Sequence, residues 1–105
     1  MKHCIIVKFI SEISEEQKVL IIRGINSLFQ RSLEIEGIQK INIFQNCIAQ
    51  ANRADLMIEM QMERDALSKF DCSEIHAEWK SEYGKFISAK TIFDHCESKT
   101  TEENK

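Results

Sequence analysis

The sequence predicts an α+β domain with the element order β-α-β-β-α-β. Three observations support this prediction: four short apolar segments of strand character, a capping box that opens a long amphipathic helix, and a second helical region before the last apolar segment. The chain has 105 residues and no proline. It therefore fits one domain, and a Pro-rich linker or a collagen-like protein is excluded.

Residues 3–9 predict the first strand because Ile, Val and Phe occur on both of its faces. One face carries His3, Ile5, Val7 and Phe9, and the other carries Cys4, Ile6 and Lys8. A strand that is apolar on both faces needs cover on both.

A long helix is predicted from about residue 15 to residue 34. Ser14 and Gln17 form a capping box at its start, and apolar residues follow at helical spacing. Gly24 interrupts this helix at a cost of about 1 kcal/mol relative to Ala, which close packing on a sheet would explain. Gly37 marks the end of the helical segment.

Three more strands and a broken helical region complete the pattern. Alternation predicts strands over residues 38–45 and 54–62, and a last strand over 90–96. Between the third and fourth strands, residues 63–87 predict helix with a break near 71–73, where Ser73 is the N-cap of the second piece. The polar residues 97–105 predict a disordered tail after a domain at 1–96.

This order is the split pattern of the ferredoxin-like fold, in which two helices cover one face of a four-stranded sheet. The uncovered face retains an apolar row of the first strand. Two such faces packed together would form a dimeric α/β barrel, so we expect a homodimer through the sheet face. A monomer with a partly apolar face is the alternative.

Composition narrows the functional classes. The formal net charge is -3, whereas a nucleic-acid-binding module is expected to carry an excess of basic residues, so this class is not favoured. No apolar run is long enough to cross a membrane or to form a signal peptide, so we expect a cytoplasmic protein. The four cysteines share no metal-ligand or disulfide spacing, and neighbouring His-Cys pairs point to opposite strand faces. We expect neither a metal nor a cofactor.

Several segments together resemble the stress-responsive A/B barrel (Dabb) family. These are the opening residues 2–9, residues 54–59, the isolated His76, and Ile92-Phe93-Asp94 near the end. The resemblance covers about residues 2–95. It implies a ferredoxin-like fold and a homodimeric barrel, with many bacterial members of unassigned activity, plant members linked to stress, and one member that is a polyketide cyclase.

The resemblance also implies site residues. His76 matches the cyclase histidine that acts as a base, and Phe70 occupies the position of the assisting tyrosine. Where the cyclase has a further histidine and a proline before its base, this chain has Ser73 and Glu74, whereas His3 matches the histidine of the first strand that lines the family's pocket. The residues expected to line a ligand pocket are His3, Ile5, Val7, Phe29, Phe70, Trp79 and Tyr83.

Three functions remain open at this point. The first is a small homodimeric protein that binds a small apolar or aromatic ligand. The second is an enzyme of polyketide-cyclase or cofactor-free monooxygenase type with His76 as general base. The third is a stress-associated protein whose assembly is its function, in which His76 is only a hydrogen-bonded structural residue.

Overall fold

A computed structural model describes residues 1–96 of the chain. Its strands are β1 (Lys2–Phe9), β2 (Ile38–Gln45), β3 (Leu56–Met62) and β4 (Ile87–His95). Its helices are α1 (Glu15–Gln30), α2 (Ala66–Asp71) and α3 (Glu74–Glu78). A 3-10 turn (Arg31–Glu34) extends α1, and a π-turn (Trp79–Tyr83) and a second 3-10 turn (Gly84–Phe86) extend α3. The tail expected at 97–105 lies outside the described residues.

The element order confirms the β-α-β-β-α-β prediction, and both predicted caps are present. The Ser14 side chain accepts from the Gln17 amide while the Gln17 side chain returns to the Ser14 amide. Ser73 accepts from the amide of His76 and so fixes the start of α3. Gly37 follows α1 and its 3-10 turn with a φ of 97°, a left-handed conformation that favours glycine.

Two strand boundaries differ from the prediction. The third strand begins at Leu56 and not at residue 54, because the paired registers with β1 and β2 both end at Leu56. Asp55 still bonds both neighbouring segments: its amide donates to the Val7 carbonyl, and its carbonyl accepts from the Asn46 amide. The fourth strand begins at Ile87 and not at residue 90, because Ile87 pairs with Phe9 across a register shift in β1.

The four strands form one antiparallel sheet in the order β2-β3-β1-β4. The β1 and β3 rows that face the helices are buried, as are the apolar residues that the helices send toward them. This core includes Ile5, Val7, Phe9, Ile25, Leu28, Phe29, Leu56, Ile58, Met60, Met62, Phe70 and Trp79. The helix-facing side of the sheet is therefore the inner side of the domain.

The opposite sheet face has no helix over it. Phe44 and Phe93 lie on this face and are 48% and 58% exposed. In the strand ladder, Cys4 is opposite Phe93 and Ile6 is opposite Met57, so the apolar side chains are neighbours. This surface is the one that the sequence predicts to be apolar.

The reason for Gly24 differs from the expectation. The glycine does not pack on the sheet but on the π-turn, where an added Cβ would overlap the hydroxyl of Tyr83. The glycine thus allows α1 and the π-turn to approach closely. No helix among residues 1–96 has the length and hydropathy needed to span a membrane.

Candidate functional site

The candidate site lies at the β4 edge of the sheet, on the helix-facing side. Strand β4 has one neighbour, β1, and every residue of β4 from Ser88 onward is exposed. The ladder places Lys90 opposite Val7, Ile92 opposite Ile5 and Asp94 opposite His3. Because Ile5 and Val7 face the helices, the row from Lys90 to Asp94 faces the same way and is open to solvent.

His3 and Asp94 form a side-chain pair across the β1–β4 ladder. Nδ1 of His3 contacts Oδ1 of Asp94 at hydrogen-bond range. His3 is 6% exposed. No buried side-chain nitrogen or oxygen of the described residues lacks a partner, and Nε2 of His3 makes no hydrogen bond there, so Nε2 reaches solvent. An imidazole held through Nδ1 by a carboxylate presents Nε2 as a base.

His76 projects from the first turns of α3, which Ser73 caps. Its side chain is 22% exposed, and its Nε2 lies 4.0 Å from Oδ1 of Asp71. Burial lowers the pKa of His76, and the positive charges of Lys80, Lys90 and His3 act in the same direction, while Asp71 opposes them. His76 is therefore neutral at pH 7 and able to accept a proton.

The ring of Phe70 packs against both histidines. Its centroid lies 5.2 Å from that of His76 and 6.4 Å from that of His3, both in edge-on geometry. Phe70 is fully buried. The two histidines therefore share one apolar neighbour, Phe70, which is itself one of the residues expected to line the pocket.

The structure separates the other predicted pocket residues into two groups. Ile5, Val7 and Phe29 are at most 2% exposed and belong to the core. Trp79 is also in the core, at 1% exposed, where it packs edge-on against Phe29 with centroids 5.0 Å apart, and it borders an open groove. Tyr83 packs against Gly24 and Trp79, outside the lining of that groove.

This groove, called the β4 groove below, lies between the α3 extension and the start of β4. Its volume is about 400 Å³, and it is lined by Trp79, Lys80, Gly84, Ile87, Ser88, Ala89 and Lys90. The volume is within the range typical of small-molecule sites. The positive charges of Lys80 and Lys90, which line the groove, help to lower the pKa of His76.

A second concavity of about 450 Å³ lies at the other end of the domain, between the start of α1 and the β2–β3 loop. Its charged groups are already engaged: Asp55 accepts from the Phe9 amide and from Lys18, and Lys8 donates to two loop carbonyls. It contains none of the predicted site residues. The β4 groove is the better candidate because it contains the predicted site residue Trp79 and retains the two lysines, which have no ion-pair partner among the described residues.

Three site residues were not anticipated from the sequence, namely Asp94, Lys80 and Lys90. The alternation of side chains along a strand could have identified Asp94 and Lys90, because both lie on the same face of β4 as Ile92. In the ladder these three residues are opposite His3, Val7 and Ile5. The π-turn brings Lys80 to the groove, and no sequence pattern indicated that turn. Within residues 1–96, no group of three or more His, Cys, Asp or Glu side chains could hold a metal ion.

No protein-family model matches the sequence, and no curated protein matches it either. Solved structures do share its fold. A dimeric protein of unknown function and ferredoxin-like fold from Bacteroides fragilis superposes with a TM-score of 0.75 at 14% identity, covering 90% of this chain and 92% of that one. A hydroxynitrile lyase from Passiflora edulis has a TM-score of 0.69 at 13% identity, covering 90% and 89%.

A Dabb family protein with a ferredoxin-like fold from Mesorhizobium loti also superposes on the chain. The TM-score is 0.66 at 11% identity, and the match covers 91% of this chain and 94% of the other. The two proteins therefore share the ferredoxin-like fold. The resemblance of the sequence to the Dabb family is thus confirmed at the level of the ferredoxin-like fold.

Proposed function

We propose that this protein is a cytoplasmic, Dabb-type homodimer that binds a small apolar or aromatic ligand in the β4 groove. The observation that carries the proposal is the groove itself, an open space of about 400 Å³ bordered by Trp79 and Ile87, whose lysines Lys80 and Lys90 act on His76 through their charge. Binding sites for small molecules typically combine apolar walls with a few polar groups in this way. Because the sequence resembles the Dabb family, which has members linked to stress, the proposal includes a stress-related role.

The homodimer is proposed through the sheet face that has no helix over it. Ile6, Met57, Phe44 and Phe93 give this face an apolar centre. The Bacteroides fragilis neighbour is described as dimeric. A second copy of the same face would remove Phe44 and Phe93 from water, and the chain is small enough to benefit from this added burial.

Ligand binding can be tested with N-phenyl-1-naphthylamine, a neutral aromatic probe whose fluorescence rises in an apolar site. We expect saturable binding that Gly84→Leu weakens, because a side chain at position 84 enters open space beside the groove. Ser81→Leu is the matched control, since Ser81 is exposed on the same π-turn but does not line the groove. Equal binding by both variants and the parent protein would contradict the proposed site.

A second candidate function is an enzyme that uses His76 as a general base, of polyketide-cyclase or cofactor-free monooxygenase type. The lowered pKa of His76, caused mainly by burial, favours it, because a base must be unprotonated at working pH. The hydroxynitrile lyase among the neighbours shows that this fold can support an enzyme.

The base can be tested without the natural substrate. Benzoylacetone has an acidic C–H group between two carbonyls, and its deuterium exchange in heavy water is followed by proton NMR. We expect the protein to accelerate exchange above the buffer rate, His76→Ala to remove this acceleration, and the exposed-residue variant His95→Ala to retain it. Acceleration that persists in His76→Ala would remove His76 from the proposed chemistry.

A further inference from the structure

We propose that the β4 groove selects ligands that carry an anionic group on an apolar or aromatic body, with Lys80 and Lys90 binding the anion. This inference rests on the proposed ligand-binding function and names the chemical class of the ligand. A small aromatic or apolar acid, with one carboxylate or sulfonate, has the required character.

The charge of the groove differs from that of the whole protein. The chain has a formal net charge of -3, yet the groove lining contains two lysines and no acidic side chain. Such a local excess of positive charge raises the concentration of anions at the groove even when the molecule is acidic overall.

Glu82 lies on the same π-turn as Lys80, but it does not line the groove. Two further acidic residues on the flanking elements, Glu78 and Asp94, have other partners. Glu78 precedes the π-turn and accepts from Arg31 at 3.2 Å, on the side of α1. Asp94 is paired with His3. In the described part of the chain, neither Lys80 nor Lys90 forms an ion pair, so both ammonium groups are available to a ligand.

The remaining polar side chain of the lining cannot take this role. The hydroxyl of Ser88 donates to the carbonyls of Lys8 and Phe9, at 3.2 Å each. Recognition of a polar ligand group therefore depends on the two lysines. Ile87 and Ala89 supply the accessible apolar surface against which the body of the ligand would pack, and Trp79, which is 1% exposed, lies behind them in the wall of the groove.

Both lysines also lie close enough to His76 for their charges to act on it. His76 itself does not line the groove, so the two lysines act on it through their charge and not by a shared contact with the ligand.

A matched pair of probes separates the charge from the apolar body. N-phenyl-1-naphthylamine and 1-anilinonaphthalene-8-sulfonate share the anilinonaphthalene body, and only the second is an anion. Both are titrated by fluorescence into the full-length protein at low ionic strength, with the double variant Lys80→Met/Lys90→Met compared with the parent. Lys85→Met is the control, because it removes a positive charge from the same segment at a residue that does not line the groove.

We expect the double variant to bind the sulfonate about tenfold more weakly, as the loss of two exposed charge contacts would give. Binding of the neutral probe should change less than twofold. Raised salt should weaken sulfonate binding to the parent and have little effect on the neutral probe.

The inference is overturned if the neutral probe binds in the groove but sulfonate affinity is the same in the double variant and the parent. It is also overturned if Lys85→Met weakens sulfonate binding as much as the double variant does. That result would indicate that the sulfonate responds to positive charge anywhere on this segment and not to the two lysines of the groove. If neither probe binds to the parent protein, the proposed ligand-binding function itself fails. These outcomes distinguish failure of the anion preference from failure of the site.

Discussion

Asp94 and His3 face each other across the antiparallel ladder of β4 and β1, and their side chains are hydrogen-bonded. The pair joins the last strand of the domain to the central strand by a side-chain contact in addition to the backbone bonds. It also leaves Nε2 of His3 open to solvent beside the exposed row of β4. One contact therefore supports the edge of the sheet and orients a histidine at the candidate site.

The His3–Asp94 pair predicts a stability effect. Asp94→Ala should lower the free energy of unfolding by about 1 kcal/mol, because it removes a hydrogen bond from a nearly buried imidazole. Urea denaturation followed by circular dichroism measures this difference. Asp71→Ala is the control, since its carboxylate lies 4.0 Å from His76, and should change stability by less than about 0.5 kcal/mol. Equal losses in both variants would contradict a specific role for Asp94.

Replacement of Gly24 by alanine is expected to change the stability of the fold in an unusual direction. In an ordinary helix, Gly→Ala stabilises by about 1 kcal/mol, but here the added Cβ would overlap the Tyr83 hydroxyl. We expect Gly24→Ala to destabilise by about 1–2 kcal/mol. Combining it with Tyr83→Phe, which removes the overlapping oxygen, should recover most of this loss in a double-mutant cycle.

Gly84 provides the control for this prediction. An alanine Cβ at position 84 meets nothing within 4 Å, and the backbone there is helical. Gly84→Ala should therefore leave stability unchanged or raise it slightly. Strictly additive effects of Gly24→Ala and Tyr83→Phe would show that the two side chains do not meet.

The lowered pKa of His76 predicts a pH dependence of stability. The unfolded chain takes up this proton near the ordinary value of 6.5, whereas the folded protein takes it up only at lower pH. Between these two values the unfolded state binds more protons, so stability falls as pH decreases from about 6.5 and is retained above it. Urea denaturation at a series of pH values should show this loss, and His76→Gln should reduce it.

The exposed His95 is the matched comparison for this experiment. His95→Gln should leave the pH profile of the parent protein in place. A direct check is the NMR titration of the imidazole Cε1 proton of His76, which should have its midpoint below 6.5. A midpoint above that value would contradict the dominant effect of burial.

Neighbouring residues on β4 test the proposed dimer. Phe93 lies on the sheet face without helices and is 58% exposed, whereas Ile92 lies on the helix-facing side and is 46% exposed. Phe93→Lys should convert a homodimer to a monomer in sedimentation velocity at micromolar concentration, because a charge would be buried between two apolar faces. Ile92→Lys should leave the dimer intact. A parent protein that sediments as a monomer would contradict the proposed interface.

The fold was largely predictable because its local signals agree with one another. The Ser14 and Ser73 caps, the two faces of β1 and the alternation of β3 each depend on neighbours along the chain, and the structure confirms all of them. The start of β4 was misplaced because it depends on the register with Phe9, which is a long-range property.

The candidate site was less predictable for the same physical reason. His3 and His76 were recognisable as individual residues, but their partners come from other elements: Asp94 from the opposing strand and Phe70 from α2. The β4 groove depends on the π-turn, which places Lys80 beside Lys90 and has no signal in the hydrophobic pattern. Tertiary packing, and not local propensity, decides which side chains meet there.

The central claim, a ligand site in the β4 groove, is tested most directly by chemical-shift mapping with N-phenyl-1-naphthylamine on the 15N-labelled protein. The single tryptophan makes its indole signal a reporter that needs no assignment, because Trp79 borders the groove. We predict saturable shifts of this indole and of the amides of Gly84, Ser88 and Ala89. Shifts confined to the opposite sheet face, around Ile6 and Phe93, or no saturable shifts at all, would contradict the claim.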